Sequence, residues 1–153
     1  MFIFYDLEST GLNPFYDKIT EICCIKEISG ELPAQKFTTL VNPLKPIPDI
    51  VTKITGINQS MVANQPNFHQ ISEKLIYFMN SNLGESSAYL IAHNNEGYDK
   101  LMLTTHFKNI GVDIKHFNWK FLDTLLIARK LYPQLQKYNL KSLCQHFDLD
   151  ILD

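Results

Sequence analysis

The chain has no apolar stretch of membrane-spanning length, no basic run, and only three cysteines in 153 residues. Each absence excludes something. A spanning helix needs about 20 consecutive apolar residues, so no membrane partner is expected. The first apolar run, Phe2–Tyr5, is broken by Asp6 and Glu8 with no positive segment before it, so no signal peptide is expected either. Lack of a basic run argues against tight, sequence-independent binding to nucleic acid. It leaves a nuclease open, because an enzyme that must release its product gains little from a strongly basic surface. Cys23, Cys24 and Cys144 form no disulfide framework, and spaced zinc ligands are missing. A reducing, intracellular compartment is expected, cytoplasmic or nucleoid/nuclear. There are no repeats and no low-complexity segment; the length and slightly acidic balance fit one soluble domain over 1–153.

What is present centres on Met1–Ile25. The aromatic, apolar run Phe2-Ile3-Phe4-Tyr5 reads as a buried strand. Asp6 and Glu8 follow at the two-residue spacing that points both to one side of a strand. Ser9-Thr10-Gly11 interrupts, Leu12-Asn13-Pro14 turns, and a second strand runs from Ile19 to Ile28. Acids gathered at the end of a buried strand must be hydrated, paired or metal-bound, and no basic residue follows until Lys18. Oxygen-only ligands suit magnesium or manganese rather than zinc, so metal-dependent phosphate chemistry is the first expectation.

The remaining chain reads as follows. Glu31-Leu32-Pro33 is a turn and Lys36–Val41 a third strand, which makes an antiparallel meander. After a proline-punctuated crossing at 42–48, a short helix from Pro48 or Asp49 ends at Thr55-Gly56, and Asn58 caps a second. Asn67 precedes a stronger helix with Phe68, Ile71, Leu75, Ile76 and Met79 at helical spacing. A loop through Asn82, Gly84 and Glu85 leads to Ala88–Ala92, a short, fully apolar central strand. A helix over Glu96–Asn109 places Leu101, Met102, Phe107 and Ile110 inward, with Gly111 as C-cap. Trp119–Leu122 is a short strand, Asp123 or Thr124 opens a helix to Leu131, and Tyr138 opens the last helix through Phe147. The expected class is α/β, with a mixed sheet flanked by helices.

At this point the motifs carry a resemblance. Asp6-Leu7-Glu8-Ser9-Thr10-Gly11 resembles the first motif of the DnaQ-like (DEDD) 3′–5′ exonucleases, with Ser9 where threonine is usual. Asn94-Asn95-Glu96-Gly97-Tyr98-Asp99, preceded by His93, resembles the second. Ile54-Thr55-Gly56-Ile57 matches a further family element, with Lys53 where histidine is common. Leu122-Asp123-Thr124-Leu125, Ala128–Pro133 and Tyr138-Asn139-Leu140 resemble the family's approach to its third motif. The elements occur in order over nearly the whole chain. The third motif itself, His-x-x-x-x-Asp or Tyr-x-x-x-Asp, is not found: His146 has an aspartate at Asp150, one position short. The chain is therefore expected to be cut before that helix, with Asp148, Asp150 and Asp153 as loop acids.

The resemblance implies an RNase H-like fold, a three-stranded antiparallel meander joined to parallel strands, of the DEDDh branch. It implies two-metal hydrolysis of a terminal phosphodiester in single-stranded DNA or RNA with a free 3′ end, using two Mg2+ or Mn2+ ions. Asp6, Glu8 and Asp99 would be the catalytic, metal-binding carboxylates. Thr10, Gly11, Leu12 and Asn94 would bind substrate, the amides of the first two near the 3′-hydroxyl and Leu12 against the base. A polymerase or a second copy of the chain is a conceivable partner. Plainer readings stand beside these: Leu12 as an apolar anchor, Asn94 as a capping residue, His93 as structural, Asp123 as a helix cap that orders the back of the site, Tyr98 as core. The rival functions are a catalytically impaired nucleic-acid- or partner-binding module and a short-oligoribonucleotide hydrolase.

Overall fold

Strict alternation of buried and exposed positions defines the first strand, β1 (Phe2–Ser9), in a computed structural model that describes residues 1–27, 34–84 and 86–150. Ile3, Tyr5, Leu7 and Ser9 point into the core, while Phe2, Phe4, Asp6 and Glu8 share the other face. β1 pairs antiparallel with β2 (Ile19–Glu27), and β2 with β3 (Gln35–Leu40), giving the expected meander. On its other side β1 pairs in parallel with β4 (Ala88–Ala92), which pairs in parallel with β5 (Trp119–Asp123). The sheet order is β3-β2-β1-β4-β5. β1 and β4 are therefore flanked on both sides, as their apolar runs require.

Helices α1 (Asp49–Thr55), α2 (Gln59–Val62) and α3 (Phe68–Asn80) fill the connection from β3 to β4. Gly56 ends α1 at φ 76°, the left-handed conformation that stops a helix. Asn58 caps α2, and Asn67 forms a capping box with Gln70 on α3. α3 and α4 (Asp99–Asn109) cover one face of the sheet. Phe68, Ile71, Leu75 and Met79 meet Ile3, Tyr5, Leu7 and Leu90 there, with Met102, Leu103 and Phe107 from α4. Each such side chain, fully buried, contributes roughly 1.5–3 kcal/mol.

α4 starts at Asp99 rather than Glu96, because the amides of Gly97 and Tyr98 both bond back to Asn94 O and hold 94–98 as a turn. The helix phase differs accordingly. Asp99, Met102, Leu103, His106 and Phe107 form the inner stripe, and Leu101, expected inside, is 44% exposed. Ile110 rather than Gly111 is the C-cap; Gly111 follows at φ 78°. A 3-10 turn at Ile114–His116, which the sequence did not announce, leads into β5. α5 (Thr124–Leu131) and α6 (Leu140–His146) complete the chain, each opened by a side-chain cap, Asp123 and Asn139. α6 thus spans less than Tyr138–Phe147, since Asn139 lies outside it as the cap. The turn at Glu31–Pro33, the strand end at Ile28, the loop residue Glu85 and the loop acid Asp153 lie outside the described residues. Among the described residues no helix is long and apolar enough to cross a membrane.

Candidate active site

The acidic end of β1 is shaped by a register shift. Tyr5 faces Cys24 and Glu8 faces Glu21 across the antiparallel pair, but Ser9 pairs with Ile19, which marks an irregularity between Glu8 and Ser9. Beyond it the chain closes a tight loop. Thr10 N–H donates to Lys18 O (2.9 Å), and Lys18 N–H donates to Thr10 Oγ1 (3.1 Å). Asp17 organises the interior: its carboxylate accepts from Thr10 Oγ1 (3.0 Å) and Asn13 N–H (3.0 Å) and lies 3.4 Å from Lys45 Nζ. These bonds, led by that from Asn13, outweigh burial and hold its carboxyl below the usual range. Gly11 is required for space: an added Cβ would stand 2.5 Å from Asp17 Oδ2.

This loop revises the roles expected of Thr10 and Gly11. Thr10 is 2% exposed, with its amide and hydroxyl both bonded inside the loop, and Gly11 N–H donates to Ser9 Oγ (3.2 Å). Leu12, in contrast, is 84% exposed, so the loop presents Leu12 outward rather than a pair of open amides.

The second motif approaches from β4. Asp99, 3% exposed at the first residue of α4, accepts from Leu7 N–H through Oδ1 (3.2 Å). Leu7 lies between Asp6 and Glu8, so this bond brings all three acids to one end of the sheet. Their electrostatics agree. Burial and then Asp6 push the Asp99 carboxyl up to about 7. Burial followed by Asp6 and Glu21 raises Glu8, and burial raises Asp6, although its side chain reaches solvent. No ion pair engages Asp6, Glu8 or Asp99 among the described residues. Like-charged oxygen donors that raise one another's pKa without a cationic side chain opposite them fit a hard divalent cation. The fit is to a cluster still open: among the described residues no three His, Cys, Asp or Glu side chains stand together as a ready-made metal cage.

The turn carrying Asn94 and leading to Asp99 is held by Asp123, expected to order the back of the site, and by Asn95, whose part was not read from the sequence. Asn95 is fully buried. Its side-chain NH2 donates to Leu90 O (3.2 Å) and Leu122 O (2.8 Å), and its Oδ1 accepts from Tyr5 OH. One amide thereby ties β1, β4 and β5. Asp123 caps α5 as expected, accepting from Leu125 and Leu126 N–H, and also accepts from Asn94 (3.0 Å) and Glu96 N–H (3.0 Å). These bonds hold its carboxyl below the ordinary range despite burial. Asn94 is exposed at φ 64°, with its side chain close over Gly97. His93 is structural, Nδ1 lying 3.0 Å from Thr124 Oγ1. Tyr98 is half-buried rather than plain core: its hydroxyl bonds Ser9 Oγ (2.6 Å), which itself donates to Gly11 O. His146 ends α6 with its ring edge-on to Tyr132. A buried asparagine among apolar strands was the available signal for this network, because such an amide must be bonded on every side.

Comparison with known proteins places this geometry. A family model described as Exonuclease matches residues 3–153. The chain is 34% identical over 151 residues to the DNA polymerase III PolC-type of Caldanaerobacter subterraneus subsp. tengcongensis, covering 99% of this chain and 10% of that protein. It is 28% identical over 151 residues to the DNA polymerase III subunit epsilon of Aquifex aeolicus, covering 97% of this chain and 69% of that one. The chain thus spans about a tenth of the PolC-type proteins it matches. Among solved structures, E. coli Exonuclease I in complex with a 5cy-dT13 oligonucleotide superposes with a TM-score of 0.79 at 15% identity, over 97% of this chain and 36% of that one. At that identity the likeness speaks for the fold alone, an RNase H-like mixed sheet with flanking helices.

Proposed function

The chain belongs to the exonuclease family, as a DnaQ-like exonuclease domain, and from that premise we propose that it hydrolyses the terminal phosphodiester of single-stranded DNA or RNA from the 3′ end. The observation that carries the reading is the bond from Leu7 N–H to Asp99, which sets a buried acid of about pKa 7 beside Asp6 and Glu8. In this proposal Asp6, Glu8 and Asp99 hold magnesium or manganese as a pair of ions. Bound there, such ions activate water and offset charge on the attacking and leaving oxygens. Leu12 supports the terminal base, and Asn94 borders the strand. Asp123 and Asn95 keep the Asn94–Tyr98 turn in place, so that Asp99 meets the substrate at a fixed height on the sheet. His106 does not take the base role, because both of its ring nitrogens are engaged, with Ile19 N–H and Met102 O. The free thiols of Cys23, Cys24 and Cys144 suit the proposed reducing, intracellular setting. By analogy with relatives named as polymerase proteins, a polymerase is the proposed partner.

A second reading, a nucleic-acid-binding module of impaired catalysis, draws on one observation: the acids do not close into a cage among the described residues. A 5′-labelled single strand, as DNA and as RNA, incubated with magnesium or manganese, separates the two. A ladder shortening from the 3′ end, abolished by chelator and by Asp6→Ala, is the expected result. Retained binding in chelator with no product under any metal would leave the binding module. Preference for dinucleotides over long strands would instead favour a short-oligoribonucleotide hydrolase.

A further inference from the structure

The loop between β1 and β2 does more than present Leu12. Phe15, within the turn that follows Asn13, is 73% exposed on a backbone fixed by Tyr16 and Asp17 N–H to Asn13 O and by its own N–H to Asn13 Oδ1. An exposed aromatic on so constrained a turn is displayed rather than loosely placed. It forms one wall of a groove of about 680 Å3, whose other wall carries Thr104, Thr105 and Lys108 of α4, with Asp113 and Lys115 beyond. Both lysines are exposed, and neither forms an ion pair among the described residues. Asp113, the acid in the groove, is turned to Lys115 N–H, which it caps (3.0 Å). An aromatic face opposite two solvated cations and two hydroxyls is the combination that holds an unpaired strand: a base stacks on the ring, and phosphates meet the ammonium groups.

We propose that this groove, between Phe15 and Lys108/Lys115, is a second contact for the same single strand, taking nucleotides upstream of the one being removed. The inference rests on the exonuclease reading, since α4 links the two places: Asp99 opens the helix at the acidic cluster and Lys108 lies near its far end. At about 1.5 Å rise per residue Lys108 stands about 13 Å along the axis from Asp99. A stacked strand rises about 3.4 Å per nucleotide, so roughly four nucleotides separate the cleaved bond from the groove. Dinucleotides are too short to reach it; longer strands gain it. The groove is therefore a length sensor, acting on affinity and not on the chemical step.

The test compares a dinucleotide with a ten-nucleotide strand as substrates of wild type, Phe15→Ala, Phe15→Trp and Lys108→Glu/Lys115→Glu. Stacking of one base at about 1–3 kcal/mol predicts that Phe15→Ala raises KM for the ten-mer roughly five- to hundredfold, with kcat and all dinucleotide constants unchanged, and that Phe15→Trp restores it. The lysine double variant is expected to flatten the salt dependence of ten-mer binding by about 0.7 per lost phosphate contact in log–log slope. Equal losses on both substrates, or none on either, would overturn the groove. Should wild type cut neither substrate, fluorescence anisotropy of the labelled ten-mer in chelator still decides. Weaker binding by the Phe15 and lysine variants upholds the groove while the cleavage reading falls; unchanged binding, or no binding by wild type, refutes it.

Discussion

Asp99→Asn is expected to make the protein more stable, not less, at neutral pH in the presence of chelator. The carboxyl of Asp99 is 3% exposed, and burial with the neighbouring Asp6 carries its pKa from 3.8 to about 7. An acid whose folded pKa lies above its unfolded value binds protons more tightly when folded. Its penalty is therefore absent below about pH 4, grows as pH rises through the unfolded value, and is complete above about 7. At about 1.36 kcal/mol per pKa unit that displacement corresponds to at most about 4 kcal/mol of lost stability. Asparagine keeps an Oδ1 to accept from Leu7 N–H while removing the charge, so the variant should gain up to that amount at pH 8 and nothing at pH 4. Urea denaturation of both proteins from pH 4 to 8 measures it. Adding magnesium or manganese should raise wild type by ligand linkage and the variant less. A difference that does not change with pH, or a variant less stable at pH 8, would refute the reasoning.

Further substitutions test the surrounding structure. Asp123→Ala removes the acceptor for two helix amides and for those of Asn94 and Glu96. At about 1.5–3 kcal/mol for a charged hydrogen bond, a loss of about 3 kcal/mol is expected in denaturant melts, with faster amide exchange at Asn94 and Glu96 than at β2. Because its folded pKa is depressed, that contribution should be present above pH 4 and fade as pH falls further. His106 has the opposite sign to Asp99: burial holds its imidazole below 6.5, so wild type should lose stability relative to His106→Gln as pH falls below 6.5, read from paired melts. Gly97→Ala places a Cβ 2.6 Å from Asn94 Oδ1; turnover should drop while the melting temperature moves little, since a side-chain end can yield. Gly11→Ala meets Asp17, which anchors its loop, and should lower stability by about 1–3 kcal/mol as well as activity.

The meander, the parallel β4 and the caps of α1, α2, α3 and α5 were legible because each has a local cause. Phe2–Tyr5 and Ala88–Ala92 are short apolar runs, and Asn58, Asn67 and Asp123 are oxygen-bearing residues ahead of apolar periodicity. Asp6 and Glu8 were legible for the same reason, since two-residue spacing is strand geometry written in sequence. The phase of α4 was not. Its inner stripe depends on where the Asn94–Tyr98 turn releases the chain, and that turn is set by Asp123, which reaches it from the end of β5, and by Asn95, which reaches β1, β4 and β5. The bonding of Thr10 was not legible for the same reason: its amide goes to Lys18 O and its hydroxyl to Asp17, both beyond the turn. Non-local hydrogen bonds leave no periodicity behind.

The single buried amide of Asn95 has a dynamic consequence. Strand ends ordinarily fray one at a time, at little free-energy expense. Here β1, β4 and β5 share one side chain at the end of the sheet where the acids gather, so a strand that peels away breaks a bond to Asn95 and leaves a buried polar group without its partner. Opening at this end of the sheet is therefore expected to involve the three strands together. Asp6 and Glu8 close the β1 strand on that tied end of the sheet.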